Sequence, residues 1–247
     1  MTSYGENALV RGLSFLADKQ AAIANNLANV DTASFKRRAS VAQEAPDTFH
    51  SLLQQQQLPT VAYREQSDLG RGILRETGNR FDIAIDGDQW LHVQDGNGNA
   101  FYTRNGQLTL SADGRLVTRD GLAVLDQGGG QITLGAGDDA PSDVTISPNG
   151  TIANPTTGQT WGPIAVLTLP QPGALVPVGR SLYHDPLGQR GVQSGDAVQQ
   201  GFVEGSNVDS LQELVQMIAV ERSFAATQKA LTGLGRLQEN LITNILR

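Results

Sequence analysis

Glycine and proline are distributed very unevenly along the 247 residues of this chain. No glycine occurs from Leu13 to Leu69, whereas 24 of the 28 glycines lie between Gly70 and Gly205. Eight of the ten prolines fall between Pro141 and Pro186, and none follows. A helix interior loses about 1 kcal/mol per glycine and ~3 kcal/mol per proline, whereas turns need both residues. The distribution therefore predicts helical ends around a turn-rich middle.

The predicted fold class is α+β, with four segments along the chain. Residues 1–35 form an N-terminal helical segment and residues 36–70 a linker or extended segment. Residues 71–200 form a central, mostly antiparallel β-domain, and residues 201–247 a C-terminal helical segment. The two amphipathic ends are expected to form a coiled-coil-like pair.

The first helix is predicted from the spacing of its apolar residues. Steps of four and three describe one side of a heptad repeat with a single polar member. The residues on this side are Leu9, Leu13, Leu16, Gln20, Ile23, Leu27 and Val30. We call this side of the helix the seam. Alanines flank it, and their small side chains favour close approach of a second helix.

The last helix is predicted to begin near Ser206. Ser206 and Ser210 are both candidate N-caps, because each has a carboxylate three residues later. The apolar stripe that follows contains Leu211, Leu214, Val215, Ile218, Ala225, Leu231, Leu234, Leu237, Leu241 and Ile245.

The middle of the chain is predicted to be a meander of short strands. Turn dipeptides separate the strands, and the glycines in them tolerate positive φ. These dipeptides end at Gly87, Gly98, Gly106, Gly114, Gly121 and Gly150. The predicted strands are residues 81–85, 90–93, 100–103, 107–110, 115–118, 123–125, 131–134, 144–146 and 164–169. Antiparallel pairing follows because no helix-length segment separates them.

Charge and composition exclude several classes of function. The net charge is -7 and the only tight basic run is Lys36-Arg37-Arg38, so nucleic acid is not expected as a partner. The absence of cysteine excludes disulfides and thiolate metal sites. We expect no cleavable signal peptide and no membrane insertion, because charged residues interrupt the N-terminal apolar stretch.

No pattern typical of a catalytic or cofactor site is found. The three histidines, His50, His92 and His184, lack the spacing of metal ligands. Asp82, Asp86 and Asp88 offer a carboxylate pair, but turn formation explains them better. We therefore expect no enzyme activity, cofactor or metal.

Three further sequence motifs occur in order along the chain. The first is Ala24 to Thr32 (ANNLANVDT) followed by Phe35-Lys36. The second is TGNRFDIAIDGD over residues 77–88, with YTRNG over residues 102–106. The third is EGSNVD over residues 204–209, followed by Glu213-Leu214-Val215. In these three motifs the chain resembles the bacterial flagellar rod and hook proteins.

The resemblance implies a structural subunit of the flagellar basal-body rod, located in the periplasm. Such proteins leave the cell through the flagellar type III export apparatus, without a cleavable signal, and polymerise through their terminal helices. Implied partners are other rod subunits and a second copy of the chain. Length and the central motif favour the proximal rod, with the distal rod as the alternative. A peptidoglycan-binding β-module, built on the aspartates and Trp90, is a weaker alternative.

The chain departs from the family pattern at two positions. Ser34 stands where the family usually has glycine before the phenylalanine, which disfavours a left-handed backbone conformation there. Gln89-Trp90-Leu91 stands where the family usually has an aromatic pair after its glycine. Trp90 keeps the large apolar anchor, but Gln89 loses the glycine, so the hairpin geometry is expected to differ.

The predicted assembly interface combines both terminal segments. Asn25, Asn26 and Asn29 are expected to fix subunit register through side-chain hydrogen bonds, although solvent exposure explains each of them equally well. The predicted interface residues are Leu9, Leu13, Leu16, Ile23, Asn25, Asn26, Leu27, Asn29, Val30, Ser206, Asn207, Val208, Leu211, Leu214, Ile218 and Ala225.

Overall fold

A computed structural model of the chain describes residues 3–44, 61–137, 141, 143–193 and 195–245. The chain divides into two compact units. The helical unit contains Met1–Ala28, Arg37–Asp68 and Val208–Arg247. The β-unit contains Asn29–Lys36 and Leu69–Asn207.

Two long helices form most of the helical unit. Helix α1 spans Ser3–Ala28 and helix α2 spans Ser210–Ile245. Helix α1 packs against both α2 and strand β1, Arg38–Glu44. The predicted pair of terminal helices is therefore present within the chain.

A two-stranded ribbon completes the helical unit. Strand β1 pairs antiparallel with β2, Val61–Ser67, over seven residues from Arg38 opposite Ser67 to Glu44 opposite Val61. This ribbon lies in the segment that was expected to be a linker or extended. Residues 45–60 between the two strands lie outside the described residues.

Asp209 is the N-cap of α2, so neither predicted serine cap is correct. Its side-chain oxygen accepts hydrogen bonds from the backbone amides of Leu211 (3.0 Å) and Gln212 (3.1 Å). Two free amides of the first turn are thereby satisfied. The carboxylate also lies at the positive end of the helix dipole.

The β-unit is built from sixteen short strands, a number that refers to the described residues only. Their bounds are β3 Leu74–Glu76, β4 Ile83–Ile85, β5 Gln89–Gln94, β6 Ala100–Thr103, β7 Leu108–Leu110, β8 Leu116–Thr118, β9 Ala123–Val124, β10 Thr145–Ile146, β11 Thr151–Ala153, β12 Thr160–Pro163, β13 Val166–Thr168, β14 Val176–Pro177, β15 Leu182–His184, β16 Val192–Gln193, β17 Val198–Gln200 and β18 Phe202–Glu204. A short 3-10 helix spans Pro172–Ala174.

Strand pairing is antiparallel throughout the described sheets, as predicted, but the strand order is not that of a simple meander. The largest sheet has the order β14-β15-β6-β5-β9-β8-β7, with β13 and β16 joined through β5. Strand β9 therefore pairs with β5, while β6 and β7 are not neighbours. The prediction of a strand at residues 131–134 is wrong, because only isolated bridges form there.

Gly106 is needed for close packing rather than for a left-handed turn. The predicted turn glycines at 87, 98, 114, 121 and 150 all have positive φ, but Gly106 does not. A Cβ atom at position 106 would lie 1.9 Å from the carbonyl oxygen of Ile83. The amide of Ile83 also donates to the carbonyl of Gly106 (2.9 Å), so two backbone segments touch at this point.

Two hydrophobic clusters form the interior of the β-unit. The larger contains Ile83, Leu91, Val124 and Ile164 among its fully buried members. The smaller is the aromatic cluster of Trp90, Tyr102, Leu169, Leu175 and Tyr183. Trp90 and Tyr183 meet edge to face at 5.0 Å. Trp90 thus provides a buried apolar anchor at the start of β5.

In the part of the chain that the structure describes, no helix is long and apolar enough to cross a membrane.

Candidate assembly interface

The basic run at residues 36–38 is divided among three separate ion pairs. A contiguous patch of three cations would be expected on a nucleic-acid-binding surface, but each side chain has its own carboxylate here. Lys36 pairs with Glu204, Arg37 with Glu213 and Arg38 with Glu65. Each cation of the run therefore forms an ion pair within its own unit: Lys36 in the β-unit, and Arg37 and Arg38 in the helical unit.

Glu204 is the centre of a buried ion cluster in the β-unit. Its Oε1 accepts hydrogen bonds from Lys36 Nζ (2.7 Å) and from the amide of Gly72 (2.8 Å). Its Oε2 accepts from Arg104 Nε (2.7 Å). Lys36, Arg104 and Glu204 are all almost fully buried. Such charges are tolerated inside a protein only when they are paired and hydrogen-bonded.

Arg104 connects this cluster to the turn between β4 and β5, two strands that pair with other strands and do not form a hairpin with each other. Its guanidinium donates to the carbonyls of Ile85 (2.9 Å), Gly87 (2.8 Å) and Gln89 (2.9 Å). It also lies 5.9 Å from the centre of the Trp90 ring. One side chain thus satisfies three carbonyls of the turn in which Gln89 departs from the family pattern.

The pKa of Glu204 is set by two opposing effects. Burial alone would raise the pKa of this carboxyl, because the charged form loses water. The positive charges of Arg104 and Lys36, together with the hydrogen bonds from Lys36 and Gly72, outweigh burial and hold the pKa below its ordinary value. Glu204 is therefore ionised at neutral pH.

Ser34 does adopt the left-handed backbone conformation that its side chain disfavours, with φ at 54°. The expectation against this conformation was wrong. The Ser34 amide donates to the carbonyl of Glu204 (2.8 Å), and its Oγ donates to the carbonyl of Arg104 (2.7 Å). These two hydrogen bonds compensate for the strain that a glycine would avoid.

A second buried carboxylate, Glu213, joins both helices and β1 of the helical unit. Asn26 of α1 donates to Glu213 Oε2 (3.1 Å), and Arg37 Nε donates to Oε1. Asn26 also exchanges two hydrogen bonds with the backbone of Arg38, each of 2.8 Å. The register of α1 against α2 is therefore fixed by polar groups at this level.

The three asparagines predicted to set register lie in different environments. Asn26 is fully buried and acts within the chain, through Glu213 and Arg38. Asn25 is exposed on α1. Asn29 is buried in the β-unit, where its side-chain oxygen accepts from the Thr32 hydroxyl (3.2 Å).

The predicted apolar seam of α1 faces the interior of the helical unit along most of its length. Ile23 is buried, and Leu9, Leu13, Leu16 and Leu27 are half-buried. These side chains contribute to contacts within the chain. Val30, which follows the helix in the β-unit, is also half-buried.

The apolar stripe at the start of α2 faces outward. Leu211 is 72% exposed, Leu214 50%, Val215 61% and Ile218 52%. We call these four residues the outward face; the predicted residue Ala225 is also exposed. Burying a large apolar side chain fully is worth about 1.5 to 3 kcal/mol, so this face leaves substantial free energy available to a partner.

The inner face of α2 consists mostly of residues outside the predicted apolar stripe, Leu231 being the member that the two share. Glu213 and Val220 are buried, while Phe224, Thr227 and Leu231 are half-buried at helical spacing. Hydrophobicity alone could not indicate that a glutamate faces inward. The sequence singled out Glu213 only as part of the third motif, because its partner Arg37 lies 176 residues away along the chain.

The remaining predicted interface residues lie just before α2. Val208 is buried in the helical unit, whereas Ser206 and Asn207 are half-buried in the β-unit. The Asn207 amide donates to the carbonyl of Phe35 (3.2 Å), and its side chain donates to the carbonyl of Gly70 (3.0 Å). Asn207 thus holds the two ends of the β-unit together.

The residues considered for carbohydrate chemistry serve other purposes. Trp90 is buried in the aromatic cluster, and Asp82 is buried and accepts from Asn79 (3.1 Å). Asp86 is exposed and pairs with Arg71 (2.6 Å). Within the described ranges, no group of three histidine or acidic side chains could hold a metal ion.

Three family models match the chain, one in each region that carries a motif. Residues 7–36 match the model described as "Flagella basal body rod protein". Residues 84–154 match "Flagellar hook protein FlgE/F/G D1 domain", and residues 199–244 match "Flagellar basal body rod FlgEFG protein C-terminal". Each matched region contributes one charge to the buried cluster, namely Lys36, Arg104 and Glu204.

Similar proteins cover nearly the whole chain. The flagellar basal-body rod protein FlgG of Bacillus subtilis is 30% identical, with 94% of this chain and 96% of the relative aligned. The rod protein FlgF of Rhizobium meliloti is 32% identical over 82% of this chain and 81% of its own. FlgF of Caulobacter vibrioides is 29% identical over 97% and 98%. The chain therefore belongs to the flagellar basal-body rod and hook protein family, whose members are structural proteins rather than enzymes.

Proposed function

We propose that the chain is a subunit of the proximal rod that polymerises through its terminal helices to form part of the drive shaft. The observation that carries this proposal is the outward face of α2. Four large apolar side chains at i, i+3, i+4 and i+7 are half or more exposed in a folded helix. In an assembly of helices, such a face is expected to pack against a neighbouring subunit.

The choice of the proximal rod rests on length and alignment. FlgF of C. vibrioides aligns over 249 positions, whereas FlgG of B. subtilis aligns over 266 positions with a smaller share of this 247-residue chain. Of these two alignments, the one with FlgF of C. vibrioides needs fewer gaps, and the resemblance places FlgF in the proximal rod and FlgG in the distal rod. The partners in this proposal are other rod subunits, further copies of the chain and the flagellar type III export apparatus, and the site is the periplasmic rod.

The assembly role is tested by replacing two residues of the outward face with aspartate. The double variant Leu214→Asp/Ile218→Asp should abolish motility and leave basal bodies without a complete rod, because two charges cannot be buried without partners. Both side chains are about half exposed, so the chain should still fold. Circular dichroism of the purified chain checks this.

Val192→Asp is the matched control, because Val192 is 68% exposed but belongs to the β-unit. A strain that carries this variant should swim normally. Normal motility and complete rods in the Leu214→Asp/Ile218→Asp strain would contradict the assembly role. Electron microscopy of basal bodies from a strain lacking the gene locates the missing segment; loss of only the distal segment would contradict the proximal assignment.

A further inference from the structure

The segment that follows α1 is held to the β-unit mainly by polar contacts. We call residues 29–36 the strap. Ser34 donates from its amide and hydroxyl to the carbonyls of Glu204 and Arg104. Lys36 donates to Glu204 and to the carbonyl of Gly70, each at 2.7 Å. Ser181 donates to the carbonyl of Ala33 (2.7 Å). Three strap residues, Ala33, Ser34 and Lys36, therefore form hydrogen bonds with the rest of the β-unit.

The two hydrophobic clusters of the β-unit form without the strap. Among the described residues, neither the larger hydrophobic cluster nor the aromatic cluster contains a strap residue. The large apolar side chains that the strap buries are Phe35, which is fully buried, and Val30, which is half-buried. Release of the strap would therefore leave both clusters and their strand pairing in place.

The charges of the cluster also favour a strap that can be released separately. With the strap removed, Glu204 keeps Arg104 on Oε2 and the amide of Gly72 on Oε1. One cation and one anion then remain, and both are hydrogen-bonded. The pair that stays behind is balanced, so release does not leave an unpaired buried charge in the β-unit.

Closure of the strap has a conformational cost. Ser34 must take φ of 54°, a region that residues other than glycine, asparagine and aspartate seldom enter. Lys36 must also leave water completely, since its side chain is 0% exposed. The closed state therefore depends on the hydrogen bonds that Ser34 and Lys36 make.

We propose that the strap is a discrete conformational element: the β-unit has a strap-open state with an intact core, and the contacts of Ser34 and Lys36 select the closed state. In the open state the segment following α1 is released from the β-unit. This inference concerns the single chain and stands apart from the proposed assembly.

Hydrogen exchange of the full chain, measured residue by residue, tests the proposal. In Lys36→Met, the amides of Ser34 and Asn207 should exchange at least ~10-fold faster, because the strap loses its charge-assisted hydrogen bonds. The amides of Leu116 and Ile164, which donate within the core to Ile132 and Gly150, should change by less than about 2-fold. Ser34→Ala, which removes one hydrogen bond, should show the same pattern with a smaller amplitude.

Lys229→Met is the matched control, because Lys229 is exposed on α2. It should leave all four amides unchanged. Equal acceleration at Ser34 and Ile164 in both strap variants would overturn the proposal, since the strap would then open only by unfolding of the whole unit. Unchanged exchange at Ser34 in both variants would overturn it as well. If Lys36→Met does not fold, Ser34→Ala alone decides between these results.

Discussion

At the scale of single residues, the main feature of this chain is a buried cluster of three charged side chains. Lys36, Arg104 and Glu204 come from three distant motifs and meet in one cluster. The motifs could be found in the sequence, but the burial of their charged residues could not be predicted, because a charged residue is ordinarily expected on the surface. Their contacts show that these charges hold the β-unit together.

The ionisation of Glu204 should make stability depend on pH. Its folded pKa lies below the unfolded value of about 4.3, so the unfolded chain binds more protons as the pH falls. The stabilisation is complete above the unfolded pKa and is lost as the pH drops through the folded pKa. In Glu204→Gln, the free energy of unfolding should be lower by about 3 to 5 kcal/mol at pH 7, because two buried cations lose their carboxylate.

This difference between the two proteins should shrink as the pH falls below the unfolded value of about 4.3 and through the lower folded pKa of Glu204. Urea unfolding at a series of pH values provides the measurement. A difference in stability that is the same at acidic and neutral pH would contradict the assigned role of Glu204.

At the scale of secondary structure elements, helices and strands with regularly spaced apolar residues were predictable from the sequence. Strands that mix polar and apolar residues were not. Helix α1 spans Ser3–Ala28, within the predicted N-terminal helical segment of residues 1–35. Strand β6 was predicted with its observed bounds, Ala100–Thr103. Strands β1 and β2 were missed because RASVAQE and VAYREQS mix polar and apolar residues without a turn signal.

The alignment of α1 with α2 should depend on Asn26 and not on an exposed residue of the same helix. Asn26→Ala should lower the free energy of unfolding by about 2 to 3 kcal/mol, because Glu213 and the backbone of Arg38 lose buried partners. Ser14→Ala is the matched control on the same helix, and replacing its exposed side chain should change the free energy of unfolding by no more than about 0.5 kcal/mol. Equal effects of the two changes in chemical denaturation would argue against a polar register contact.

Gly106 should be far less tolerant of substitution than other turn glycines. In Gly106→Ala, the new methyl group would collide with the carbonyl of Ile83, which should cost about 2 to 4 kcal/mol of stability. Gly96→Ala should be nearly neutral, since nothing lies within 4 Å of a Cβ atom at that position. Thermal unfolding of the two variants measures this contrast; similar melting temperatures would show that the two backbone segments do not need their close contact.

At the scale of the whole molecule, the helix, β-domain, helix layout followed from the glycine and proline distribution alone. The family assignment needed the motifs, and the comparisons confirm it. The direction of the apolar face of α2 could not be predicted, because the seam residues of α1 and the stripe of α2 looked like natural partners for each other. Glu213 and Val220 take the inner positions instead, and the four residues of the outward face remain exposed.

The central claim is that this exposed stripe becomes an interface between subunits. The chain contains no cysteine, so a single thiol can be introduced and followed without interference. In Leu214→Cys, a maleimide should label the thiol readily in the purified chain but poorly in isolated basal bodies, because a neighbouring subunit covers it. In Val192→Cys, a site that is exposed on the β-unit, labelling checks that the reagent reaches the assembled rod. Equal labelling of Leu214→Cys before and after assembly would contradict the account.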